Sequence, residues 1–231
     1  MKIIGLIGGM SWESTIPYYR HINETIKQRL GGLHSAKVVL YSVDFQEVEQ
    51  LQHQGNWLAA GALLAQAAKS LEAAGADFLV ICTNTMHKVY DQVAQSVAIP
   101  LCHIADATAD IIRHDGLQTV GLLGTRFTME QDFYKGRLSQ HHGINVIIPD
   151  EADREIVHRV IYQELCLGKI EPQSRQEFSR IMQQLADNGA EGIILGCTEI
   201  GLLVSAEDAN IPLYDTAEIH AVQAAEISLR S

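Results

Sequence analysis

The sequence predicts an α/β protein of two similar lobes, each a parallel sheet flanked by helices, related by internal duplication. Three observations predict it. Short apolar runs bounded by turn residues alternate with helical patterns along the 231 residues, as in parallel sheets covered on both faces. Landmarks recur in the same order in both halves. Ile4-Gly5-Leu6-Ile7-Gly8-Gly9 resembles Val120-Gly121-Leu122-Leu123-Gly124-Thr125. The stretch Gly75-Ala76-Asp77-Phe78-Leu79-Val80-Ile81-Cys82-Thr83-Asn84-Thr85 resembles Gly189-Ala190-Glu191-Gly192-Ile193-Ile194-Leu195-Gly196-Cys197-Thr198-Glu199. Ile99-Pro100-Leu101 resembles Ile211-Pro212-Leu213, and Ala105-Asp106 or Ala217-Glu218 follows. Finally, 47% hydrophobic content can bury one large or two compact cores. The lobes are therefore expected to be Rossmann-like.

The elements follow in order. Ile3 to Ile7 reads as a first buried strand and Ser14 to Leu30 as a helix closed by Gly31-Gly32. Ala36 to Val43 is β-branched enough for a strand, with Asp44 at its end. Asn56 to Ala74 is an Ala- and Leu-rich helix stopped by Gly75, and His87 to Ser96 is helical after the Thr83 strand. In the second half, Thr119 to Leu123 is a strand and Thr128 to His141 a helix with a Gly143 stop. Asn145 to Ile148 is a strand closed by Pro149-Asp150. Glu151 to Leu167, Gln173 to Asn188 and Ala217 to Leu229 are helices, the last crossing back onto the first lobe. The boundary is placed near Asp115-Gly116, so that 1–114 with 216–231 makes the first lobe and 115–215 the second.

Composition excludes several classes. The net charge is −11, from 28 acidic and 17 basic residues, and no basic run stands out, so no nucleic-acid partner is expected. No apolar stretch reaches about 18 residues, which speaks against a membrane span. The apolar start, Met1 to Gly9, lacks a cleavage-site pattern and reads as a strand rather than a signal. Cys82, Cys102, Cys166 and Cys197 fit neither zinc spacing nor a redox pair. Reduced thiols in a cytoplasmic protein are the expectation.

Thr83 and Cys197 carry the most information. Each stands just past a buried strand at an equivalent point of the repeat, and ligands of open parallel sheets bind at such tips. If the halves face each other, a hydroxyl and a thiol approach one cleft from opposite sides, which suits moving a proton between the two faces of a carbon. A helix start after Cys197 would favour its thiolate. Asn84, Thr85 and Thr198 could offer donors to a carboxylate. Gly8-Gly9-Met10-Ser11 and its counterpart Gly124-Thr125 let backbone N–H groups approach a small anion. The loop lacks GxGxxG spacing, and Asp44 comes too late for the acidic residue expected about 20 positions on, so no nicotinamide cofactor is expected. Cys82 points opposite to Thr83 and reads as core, as do Cys102 and Cys166 in apolar settings. His141-His142 face different ways and make a poor chelate. His87 and His103 lie near strand ends, with a role behind or outside the site favoured over substrate contact. No GxSxG elbow supports a serine hydrolase.

Gly8-Gly9-Met10-Ser11, Thr83-Asn84-Thr85 and Gly196-Cys197-Thr198-Glu199 resemble the signatures of the aspartate/glutamate racemase superfamily over nearly the whole chain. The pattern is most similar to L-aspartate/glutamate-specific, or broad-specificity, amino-acid racemases. The resemblance implies an isomerase with no cofactor, PLP included, and no metal, working through bases on opposite faces of the substrate α-carbon, commonly as a homodimer. It implies Cys197 as base for the L-isomer and Thr83 as acid on the other face. In most of the family the first position is also a cysteine, so Thr83 departs from the pattern. Met10, Ser11, Gln52, Asn84, Thr85, Thr125, Thr198 and Glu199 are the expected substrate-binding residues. For the side-chain carboxylate, Gln52, His53, Arg126 and Lys169 are candidates, Gln52 by resemblance. The alternatives are a maleate isomerase-like enzyme, tested by fumarate formation, and a non-catalytic amino-acid-binding protein, tested by α-proton exchange.

Overall fold

The computed structural model describes residues 1–230. Those residues divide into two compact units, 1–104 with 220–230 and 105–219. The sequence expectation divides the chain instead at 114/115 and 215/216, and its final residue, Ser231, lies outside the described residues.

The first unit contains β1 (Ile4–Gly8), α1 (Trp12–Leu30), β2 (Val38–Ser42), α2 (Phe45–His53), α3 (Trp57–Ala73) and β3 (Phe78–Ile81). A 3-10 turn at Thr85–Val89 then leads into α4 (Tyr90–Ala94), β4 (Leu101–Cys102) and the first residue of α5 (Ile104–His114). The second unit contains the rest of α5, β5 (Thr119–Gly124), α6 (Arg126–Glu130), α7 (Asp132–His142), β6 (Asn145–Ile147), α8 (Glu151–Gln163), α9 (Pro172–Asp187), β7 (Ile193–Gly196) and β8 (Leu213–Asp215). It ends in the first turn of α10 (Thr216–Leu229).

The duplication read from sequence is visible in the topology. The sheet orders are β2-β1-β3-β4 and β6-β5-β7-β8, with every pairing parallel. In each sheet the inner strands carry the paired landmarks, with Ile7 beside Ile81 and Gly124 beside Gly196. β1, β3 and β7 are buried along their whole length, which explains their unbroken apolar runs. Ile7, Leu79 and Ile81 pack in one cluster with Leu64, Ala67, Ala68 and Leu71 of α3. Each large aliphatic side chain buried this way contributes about 1.5–3 kcal/mol.

Local sequence sets the ends. Ser11 caps α1, its hydroxyl accepting from the Ser14 amide at 3.4 Å, so the helix begins before the expected Ser14. Asn56 caps α3 by accepting from Ala59 N–H at 3.2 Å. Residues 220–229 of α10 pack on the first unit, with Lys2 N–H donating to Ser228 O at 2.8 Å and Arg29 pairing with Glu226.

Several elements depart from the expectation. Asp44 does not end a strand. β2 stops at Ser42, and Asp44 caps α2, accepting from Gln46 N–H at 3.0 Å. The helix expected over Thr128 to His141 is two helices, because Gln131 is extended at φ −95° and ψ 153°. The helix expected from Glu151 to Leu167 stops at Gln163, and a 3-10 turn covers Leu165–Leu167. His87 to Ser96 is likewise a 3-10 turn followed by a short helix. Cys102 and Cys166 are half-buried rather than core.

Candidate active site

In the first unit, the tips of β1 and β3 lie side by side, with Cys82 N–H donating to Ile7 O at 2.9 Å. The loop after β1 is tightly held. Gly9 has φ +88°, and a Cβ there would collide with the Val43 carbonyl, so glycine is required. Thr15 Oγ1 accepts from Gly9 N–H at 2.9 Å and donates to Ser11 O at 2.8 Å. Ser11 thus sits at the N-terminus of α1 with its backbone pinned. Met10 is buried in the same apolar cluster as Met86. Gln52 is buried beside them, its amide donating to Met86 Sδ at 3.1 Å.

Thr83, Asn84 and Thr85 follow β3, all at most 9% exposed. Asn84 precedes the 3-10 turn but makes no side-chain capping bond to it. The chain here tightens into a 3-10 turn rather than opening an α-helix, so the aligned dipole at this tip is short. Cys82 is wholly buried, and desolvation pushes its thiol far up. His87, in the turn, places its Nδ1 2.8 Å from the Thr83 carbonyl and its Nε2 3.1 Å from the Ile104 amide.

In the second unit, Gly124 and Gly196 bring β5 and β7 close together. A Cβ on Gly124 would lie 2.8 Å from Gly196 O, and one on Gly196 2.8 Å from Leu123 O. Thr125 and Cys197 therefore occupy neighbouring strand tips. Thr125 caps α6, accepting from Thr128 N–H at 3.3 Å. Cys197 is 8% exposed, and its thiol donates to Glu199 Oε2 at 2.9 Å. The Thr198 hydroxyl donates to the same oxygen at 3.0 Å. Thr198 and Glu199 are both buried.

The electrostatics of Cys197 run against the sequence expectation. Its thiol is raised well above the ordinary 9.0, first by burial, then by the negative charge of Glu199, by Cys166 and by the hydrogen bond to Glu199. The helix start expected to stabilise a thiolate is instead a 3-10 turn at Ile200–Leu202, too short to supply an aligned dipole. Cys197 rests as a thiol, and Glu199 is the acceptor within reach of its proton. Sequence reading missed that contact. Its only signal was an acidic residue two positions after the cysteine.

His53 is exposed and pairs with Glu49 at 2.7 Å. Arg126 is exposed and pairs with Glu155, and Lys169 is exposed. His103 is buried, with its ring centroid 4.5 Å from that of His87. His142 bonds Asp106 at 2.9 Å through Nε2. Among the described residues, no group of three or more His, Cys, Asp or Glu is placed to hold a metal ion, and no helix is long and apolar enough to cross a membrane.

Comparison with known proteins adds to this geometry. The sequence profile of the Asp/Glu/hydantoin racemase family matches residues 7–224. The broad-specificity amino-acid racemase RacX of Bacillus subtilis (strain 168) is 24% identical over 223 residues, covering 93% of each chain. A crystal structure of a candidate Asp/Glu racemase from Yersinia pestis superposes with TM-score 0.92 at 60% identity over the whole of both chains. An aspartate racemase homologue from Pyrococcus horikoshii OT3 does so with TM-score 0.85 at 35% identity, again over both whole chains. With two parallel sheets of matching order and the paired tip motifs in place, the chain belongs to the Asp/Glu/hydantoin racemase family and is a racemase.

Proposed function

We propose that this racemase acts on aspartate and glutamate without a cofactor, with Cys197 as the base for the L-isomer and Thr83 as the acid on the opposite face. The observation that carries the reading is the Cys197 thiol bonded to a buried carboxylate at one member of the duplicated tip pair. The names of the relatives, a broad-specificity amino-acid racemase and an aspartate racemase homologue, support the substrate class.

In this mechanism the thiol proton passes to Glu199, and the thiolate takes the α-proton of the L-amino acid. The electron pair left on the α-carbon spreads into the substrate carboxylate. The Thr83 hydroxyl then gives its proton to the opposite face, its alkoxide recovers one from solvent, and Glu199 releases the proton it took to solvent, which restores the starting state. Ser11, Asn84, Thr85, Thr125 and Thr198 supply donors for substrate oxygens. Met10 and Gln52 complete the substrate contacts, and Glu199 draws in the substrate ammonium before it takes the thiol proton. A buried thiolate with a neighbouring acceptor is a workable base, whereas an aliphatic hydroxyl is far better as a donor than as a base. Racemisation has an equilibrium constant of one, so a weak Thr83 slows net inversion equally in both directions.

Cys197→Ser tests the assignment. It should abolish both α-proton exchange and inversion of L-aspartate and L-glutamate while the circular dichroism spectrum stays that of the wild type. Racemisation at the wild-type rate in that variant would remove Cys197 from the mechanism.

A cytoplasmic homodimer completes the proposal. Trp12, Ile16, Tyr19 and Leu40 are exposed around an apolar depression between α1 and the edge strand β2, a face that a second copy would cover. The mass by light scattering decides this part.

A further inference from the structure

We infer that His87 is a positioning residue for the Thr83-side proton donor: its ring holds Thr83 by the carbonyl, so its loss slows proton delivery more than proton removal by Cys197. The inference rests on the mechanism proposed above and assigns a residue that mechanism does not use.

The ring has no free nitrogen. The Thr83 carbonyl can only accept, so Nδ1 at 2.8 Å carries the hydrogen and donates it. The Ile104 amide can only donate, so Nε2 at 3.1 Å accepts. Together these bonds fix the neutral Nδ1–H tautomer. His87 is 3% exposed. One face of the pocket holds His103, whose ring lies 4.5 Å from that of His87 and 4.7 Å from Tyr90. Tyr90 is itself fixed by donating to Leu101 O at 2.7 Å. The ring is a strut from the tip of β3 to the start of α5, across the adjoining strands β3 and β4.

The second half of the duplication builds the corresponding tip without such a strut. The residue four places after Cys197 is Gly201, where His87 stands four places after Thr83. A Cβ at Gly201 would collide with the carboxylate of Asp215, which caps the start of α10 through the amides of Ala217 and Glu218. The Cys197 carbonyl accepts from the Ile200 amide at 3.0 Å. The fold therefore does not require an imidazole at this point of the turn. It stands only behind the residue whose side chain must reach the substrate as donor, and a displacement of about 1 Å at such a residue can cost about a hundredfold in rate.

His87→Asn and His87→Gln separate the two bonds. The Asn amide falls near Nδ1 and can still donate to the Thr83 carbonyl, whereas the Gln amide falls near Nε2 and keeps only the Ile104 contact. Each variant and the wild type are incubated with L-aspartate in D2O. Exchange is read by proton NMR, inversion by chiral chromatography and folding by the melting temperature. In His87→Gln, inversion is expected to fall by about tenfold to a hundredfold with L-isomer exchange nearly unchanged, and His87→Asn is expected to recover most of the inversion. Equal loss of exchange and inversion in either folded variant, or wild-type ratios in both, would overturn the inference. A wild type showing neither exchange nor inversion would instead sink the proposed function, before any variant is compared.

Discussion

The Cys197 thiol donates to Glu199 Oε2 at 2.9 Å, so the carboxylate whose charge helps hold the proton on sulfur is also the acceptor within its reach. Glu199 raises the thiol through its charge and through the hydrogen bond, second to burial itself. A raised thiol means a small thiolate fraction near neutral pH, and L-isomer deprotonation should therefore quicken as pH rises.

Glu199→Gln uncouples these effects. Racemisation is expected to fall by about a hundredfold or more, the range of a lost proton-transfer partner. Alkylation of Cys197 by iodoacetamide at fixed pH is expected to quicken, because the negative charge that adds to burial in holding the proton on sulfur is gone. If alkylation and racemisation both rise, Glu199 merely suppresses the thiolate.

Thr83→Cys replaces a very weak acid with a thiol. Racemisation is expected to rise by about tenfold or more from either isomer. Initial rates from L- and D-aspartate decide it, and kcat/KM must change by the same factor in both directions. A loss of activity with the melting temperature intact would remove Thr83 from the donor position.

Cys82 links stability to alkaline pH. Burial holds its thiol protonated in the fold, while the unfolded thiol ionises near about pH 8.5. The folded state keeps a proton that the unfolded state gives up. Stability from this group is therefore complete below the unfolded pKa and declines as pH rises above it, by about 1.4 kcal/mol per pH unit. Urea midpoints taken between about pH 8 and about pH 10 should fall more steeply for the wild type than for Cys82→Ala. Parallel slopes would contradict the protonated, buried thiol.

Legibility followed burial. β1, β3, β5 and β7 were readable because sheets covered on both faces leave continuous apolar runs, and Gly31, Gly75, Gly143 and Gly189 marked turns with positive φ. α2 was overlooked although Asp44 with Glu47 three places on is a helix-start signal. The break at Gln131 has no Gly or Pro between residues 126 and 132 to announce it. Thr83 and Cys197 were singled out through the repeat. The state of the Cys197 thiol was misread, because burial and the position of Glu199 are tertiary facts. His87 was visible as a residue near a strand end, but the two bonds that exhaust its ring depend on Ile104, seventeen positions away.

The unequal pair is tested most directly by following L-aspartate in D2O with the wild-type protein, reading α-proton loss by NMR and D-isomer formation by chiral chromatography on the same sample. Cys197 working as base opposite a weak Thr83 predicts that the α-proton is lost faster than the isomer inverts. Equal rates of exchange and inversion would contradict it.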